Sequence, residues 1–157
     1  PDSRFLWVTG ELDSSVLVFR QQEQTLALIG HHSIRPPRFS GENYPAEIRL
    51  HPDGQTLFVS NRGADEIVTL QAHESGELTL LGRHPTVSWP RGMILNPDGR
   101  YLLAASQHQD VIAVYAVNVS GHPTLEERNR VSGIPSPVAF AFGEPFLTNG
   151  NDPPVPG

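Results

Sequence analysis

The chain has 157 residues, 38% hydrophobic and 18% charged, with 14 Gly and 15 Pro spread along it. That length allows one domain with a core, and the scattered turn-formers suit many short strands rather than long helices. A net charge of −6 excludes a basic nucleic-acid footprint, and the absence of Cys excludes disulfides and thiolate chemistry.

In chain order, the apolar segments repeat. RFLWVTGELDSSVLVF at 4–19 aligns with RYLLAASQHQDVIAVY at 100–115, an offset of 96. HPDGQTLFVSNRGADEIVTL at 51–70 aligns with NPDGRYLLAASQHQDVIAVY at 96–115, an offset of 45 that holds without a gap from Pro52/Pro97 to Pro90/Pro135. Each copy has one internal grammar: a short apolar strand (Gly92–Leu95), a Pro-Asp-Gly turn, a second strand (Tyr101–Ala105) and a polar loop. A third strand (Val111–Val117), a Gly-containing turn and a polar fourth strand (Leu125–Val131) complete it. Four antiparallel strands in about 45 residues make one propeller blade.

The sequence therefore predicts an all-β partial propeller of about three blades, near 4–35, 45–90 and 91–135. A closing strand follows over 137–142, and a tail without apolar period over 147–157 is expected to fray or lie on the surface. The continuous apolar run 111–117 reads as a strand buried on both faces. A β-sandwich would instead show in/out alternation without a fixed period. The Pro- and Arg-rich stretch His31–Tyr44 breaks the repeat and reads as an inserted surface loop.

Equivalent loops of a propeller ring one mouth of its channel. The alignment puts Glu11, Arg62 and Gln107 at one repeat position, with Asn61 beside Arg62. An acid, a cation and an amide at one position suggest a ligand site; the competing reading is drift in an unconstrained loop. Arg91, matched with Ser136 in the third copy, opens onto the same mouth, where two guanidinium forks suit an anion; a salt bridge to Glu11 or Glu47 is its bland alternative. Asp13, Asp65 and Asp110 keep a carboxylate in each copy and read as turn-stabilising. His31, His32, His84, His108 and His122 lack metal-ligand spacing, so no metal and no cofactor is expected. Asn118-Val119-Ser120 matches a glycosylation sequon by chance.

These segments resemble the lactonase family of seven-bladed propellers, whose members include 6-phosphogluconolactonase and carboxymuconate lactonising enzymes. The resemblance is carried by FLWVTGELDSSVLVF, AEIRLHPDGQTLFVSNRGADEIVTL, WPRGMILNPDGRYLLAASQHQDVIAVY and GIPSPVAF, over residues 4 to about 142. It implies a lactone hydrolase acting on a small anionic lactone. Glu11 would be its acid/base, Arg62 its anion clamp, and Arg91, Gln107 and Asn61 its substrate contacts. The family's site also uses a His in a Pro-Arg-His context, and this sequence has no Pro-Arg-His. The expectation is that this stretch alone turns over little lactone, its first blades being either absent or supplied by a second copy. A carboxymuconate cyclase-like enzyme and a non-catalytic binding or assembly platform are the alternatives. No segment has the apolar length of a membrane span and no secretory signal opens the chain, so a soluble, cytoplasmic protein is expected.

Overall fold

A computed structural model of the chain describes residues 4–121 and 123–143; His122 and the predicted tail at 147–157 lie outside the described residues. These residues form eleven strands and no helix. Strands β1 (Phe5–Gly10), β2 (Ser15–Gln22) and β3 (Thr25–Ser33) make a three-stranded sheet. β4 (Tyr44–Leu50), β5 (Thr56–Arg62), β6 (Glu66–Ala72) and β7 (Leu78–Pro85) make the second sheet. β8 (Pro90–Leu95), β9 (Tyr101–Ser106), β10 (Val111–Asn118) and β11 (Thr124–Ser132) make the third. Each is an antiparallel meander in chain order, as the repeat requires of a blade.

The repeat reaches down to irregularities. β2/β3 shift register at Val18/Phe19, β6/β7 at Thr69/Leu70 and β10/β11 at Val114/Tyr115, the same repeat position three times. A bulge increases local twist, so each outer strand twists away at the same point. The Pro-Asp-Gly turns are also alike. Gly54 and Gly99 both have positive φ (76° and 77°), and their N–H groups donate to the carbonyls of His51 and Asn96. Asp53 accepts from the N–H groups of Gln55 and Thr56 and from the Thr56 hydroxyl. Partial burial raises the Asp53 pKa, but these hydrogen bonds outweigh it and hold the group below the usual carboxylate range. Asp98 falls to about 2, chiefly through its hydrogen bonds to the Arg100 side chain and N–H.

Two apolar layers hold the sheets together. Val16, Val18, Ile34, Leu57, Val59, Val68 and Leu70 fill the space between the first two sheets. Phe58, Ile67, Val87, Met93, Leu102, Ala104 and Tyr115 fill the space between the second and third. Successive residues of a strand point to opposite faces, so β5 sends Leu57 and Val59 one way and Phe58 the other. Every residue of β5 is accordingly buried. β10 differs from expectation: Val111, Ala113 and Tyr115 are buried while Ile112, Val114 and Ala116 are half-buried. Among the described residues the third sheet has a neighbouring sheet on one face only, so its apolar run is covered on one side.

The closing strand expected over 137–142 is likewise not formed as a strand. The segment passes close to β8, where a Cβ on Gly92 would lie 2.5 Å from the Val138 carbonyl oxygen. It is in place beside an innermost strand, but no described strand hydrogen-bonds along it, and without a ladder partner it is not a strand.

The inserted segment is shorter than the expected 31–44, since His31–Ser33 end β3 and Tyr44 opens β4, and it is anchored rather than loose. The Ile34 carbonyl accepts from both Asn61 Nδ2 (3.2 Å) and Arg83 (3.0 Å), and Arg83 also reaches the Arg35 carbonyl and pairs with Glu66. Gly63, at φ 89°, passes so close to the Glu42 carbonyl that any Cβ would clash with it.

Candidate functional site

The C-terminal ends of β1 and β5 and the start of β8 meet at one end of the stacked sheets. They enclose a cavity of about 320 Å³ lined by Thr9, Glu11, Pro45, Ala46, Glu47, Arg62, Arg91 and Val138. Glu11 and Arg62, from neighbouring sheets, form an ion pair with Nη2 2.8 Å from Oε1. Their exposures differ sharply: the Arg62 side chain is 8% exposed and that of Glu11 58%. The cation is built into the wall and the carboxylate reaches over the opening.

Arg62 is held on every side. Its Nε donates to the Tyr44 carbonyl at 3.2 Å, and its Cζ lies 5.9 Å from the ring centroids of both Tyr44 and Trp89. Those two rings meet edge-to-face at 6.1 Å, so the guanidinium occupies an aromatic corner. The Tyr44 hydroxyl has its pKa raised by burial first, then by the Glu42 and Glu11 carboxylates. Trp89 in turn stacks on His108, centroids 4.8 Å apart and planes 17° from parallel.

Arg91 is exposed at the cavity and pairs with neither Glu11 nor Glu47; Glu47 is paired with Arg49 at 3.2 Å. Its guanidinium is therefore free of both cavity carboxylates and open to an incoming anion.

Of the five residues singled out in the sequence, the structure gathers Glu11, Arg62 and Arg91 into the cavity and leaves the other two outside its lining. Asn61 is fully buried, with Nδ2 shared between the Ile34 carbonyl and Glu66, so it braces the inserted loop and has no face toward a ligand. Strand alternation explains this, since adjacent residues of β5 point opposite ways. Gln107 sits at the repeat position of Arg62 but does not line the cavity; its N–H donates to the Trp89 carbonyl. Glu47 as a lining residue, Thr9 and the aromatic corner go beyond the sequence reading. The corner does carry a signal: Tyr44-Pro45 and Trp89-Pro90 are aromatic-Pro pairs at the offset of 45.

The carboxylates read as structural do join the blades. Asp65 Oδ1 accepts from Trp89 N–H at 2.8 Å, and Asp110 Oδ1 accepts from Ser136 N–H at 2.8 Å. Both Asp residues have positive φ, as do Trp89 and Ser136. Ser136 is thus the counterpart of Trp89, which makes Val138, not Ser136, the counterpart of Arg91. In the first sheet Ser14 takes the Asp position, with φ 56° and its carbonyl accepting from Ile34 N–H. Asp13 points elsewhere, to Ser15 and His31; those hydrogen bonds, Ser15 first, lower its pKa.

Antiparallel meanders of three and four strands stacked face to face are blades of a partial β-propeller, and polar loop residues converge at one end of the stack. The sequence profile of the family described as "Lactonase, 7-bladed beta-propeller" matches residues 1–142, and the chain belongs to that family. It is 37% identical over 101 residues to the 6-phosphogluconolactonase of Pectobacterium atrosepticum, a match covering 59% of this chain and 29% of that protein. Among solved structures it resembles the periplasmic gluconolactonase of Pseudomonas aeruginosa, with a TM-score of 0.80 and 30% identity over 87% of this chain and 39% of the other. A protein from Lactobacillus plantarum superposes with a TM-score of 0.82 at 27% identity, covering 88% of this chain and 41% of that one. The chain thus spans less than half the length of these relatives.

Proposed function

We propose that the Glu11–Arg62–Arg91 cavity is one wall of a site that hydrolyses an anionic sugar lactone, as in a 6-phosphogluconolactonase. The observation that supports it best is the inter-blade pair: a built-in guanidinium holding an accessible carboxylate at 2.8 Å, with a second guanidinium open beside it. Arg91 would take the phosphate, with Arg62, which also holds Glu11, as the second clamp on the anion. Glu11, oriented by Arg62, would accept a proton from water as the water adds to the lactone carbonyl, and would return it to the ring oxygen as the intermediate collapses and the ring C–O bond breaks. The negative charge that develops on the carbonyl oxygen is stabilised by a nearby guanidinium. Both named relatives are gluconolactonases by name, which favours this reading over a carboxymuconate cyclase. The same comparison leaves the cytoplasmic expectation without support from family membership, since one relative is periplasmic.

The test pairs calorimetry with 6-phosphogluconate, the product, and pH-stat assay of 6-phosphogluconolactone. The expected result is saturable product binding with little turnover, because no Pro-Arg-His segment is present to complete the family's site. Absence of binding overturns the reading, and efficient turnover that survives Glu11→Gln overturns the role of Glu11.

A further inference from the structure

We propose that Trp89 is the positioning residue for Arg62, holding its guanidinium at the angle from which it grips both Glu11 and the bound anion. The proposal rests on the reading that Arg62 serves the anion site. Trp89 lies outside the lining of the cavity, and its influence passes through the cation it covers.

The internal repeat supplies the control. Trp89 and Ser136 occupy one repeat position, with φ of 53° and 44° and the same N–H bond to an Asp carboxylate. A serine therefore suffices for the turn and the blade connection. Any side chain other than that of Gly, or in part Asn or Asp, carries a conformational cost in the left-handed region, and a bulky one is the rarest there. The indole must then serve something other than the turn. Its ring meets Arg62 and the edge-to-face Tyr44 ring at the site, and stacks on His108.

Its own placement is over-determined. The Trp89 N–H is held by Asp65 at 2.8 Å, its carbonyl by Gln107 N–H at 3.2 Å, and its ring by the His108 stack. This also gives Gln107 a role at the site, through its backbone. With Tyr44 forming the second wall, Arg62 is left facing the cavity, where it pairs with Glu11. A guanidinium so confined keeps its planar fork pre-oriented, and less freedom is lost when it binds.

The test needs no turnover. The chain has two tryptophans, so Trp7→Phe leaves Trp89 as the only indole reporter. In that background Arg62→Lys, which keeps the charge and removes the guanidinium from the indole face, is expected to red-shift Trp89 emission; unchanged emission overturns the contact whatever the ligand does. Calorimetry with 6-phosphogluconate forms the second arm. Trp89→Leu is expected to weaken binding about tenfold, and Trp89→Phe, which restores an aromatic face, to recover most of it. Equal affinity in Trp89→Leu and the parent overturns the positioning role. If Trp89→Leu fails to fold, Trp89→Ser, which installs the residue that position 136 carries naturally, replaces it with the same expectation. If the parent itself binds no 6-phosphogluconate, the lactonase reading fails and the emission arm still decides the contact.

Discussion

Asp65 sits where blade connection and binding site meet, and three substitutions separate its two contributions. Its carboxylate accepts from Trp89 N–H at 2.8 Å and more weakly from Gly63 N–H at 3.3 Å, and its own φ is 52°. Hydrogen bonds to a charged acceptor contribute about 1.5–3 kcal/mol, with the lower half of that range fitting a half-buried group. The left-handed backbone adds a cost of about 1 kcal/mol for Ala, less for Asn and essentially none for Gly. Asp65→Asn keeps an acceptor and tolerates the backbone, so a loss of about 0.5–1 kcal/mol is expected. Asp65→Gly loses the acceptor and relieves the backbone, for about 1–2 kcal/mol. Asp65→Ala loses both and should cost about 2.5–3.5 kcal/mol. Urea unfolding monitored by circular dichroism, with m constant across the series, reads these differences directly. An Ala variant as stable as Asn, or a Gly variant weaker than Ala, would refute the assignment.

Other outcomes follow from the same structure. Phe58→Ala, at a fully buried site between the second and third sheets, should destabilise the chain by about 3–5 kcal/mol in the same assay. Arg83→Met removes the partner of Glu66 and one anchor of Ile34, and should speed proteolytic cleavage within residues 35–43 severalfold. Among the described residues β1 pairs with β2 only and leaves Leu6 and Val8 exposed, while 137–142 passes close to β8 without forming a strand. Each unmatched feature can complete the other between two copies, so sedimentation at micromolar concentration should show a dimer or higher species. A stable monomer would contradict this.

The fold is legible in the sequence because the repeat is written twice over, in the Pro-Asp-Gly turns and in apolar spacing, and the strands fall where that spacing puts them. Glu11 and Arg62 are legible as neighbours because one repeat position recurs in adjacent blades, but the rule does not reach Gln107, which holds the same position and stays outside the cavity lining. The matching of Arg91 to Ser136 fails because the β10–β11 hairpin holds two more residues than the β6–β7 hairpin: Val117 pairs with Leu125 where Ala72 pairs with Leu78, so the offset is 47 from there onward. Asn61 escapes the sequence pattern because proximity to a loop does not set orientation: the residue is still inside β5 and points into the core. The half-covered face of β10 cannot be read from its apolar run, since composition reports what a strand could bury and not what lies against it.

Arg91 offers the most direct measurement of the central claim. It is exposed and unpaired with either cavity carboxylate, so Arg91→Ala should leave stability within about 0.5 kcal/mol of the parent. Calorimetry with 6-phosphogluconate at two salt concentrations then reads the site alone. The account predicts that Arg91→Ala weakens binding about tenfold or more and flattens its salt dependence. Binding of 6-phosphogluconate with the parent's affinity and salt dependence in Arg91→Ala would contradict it.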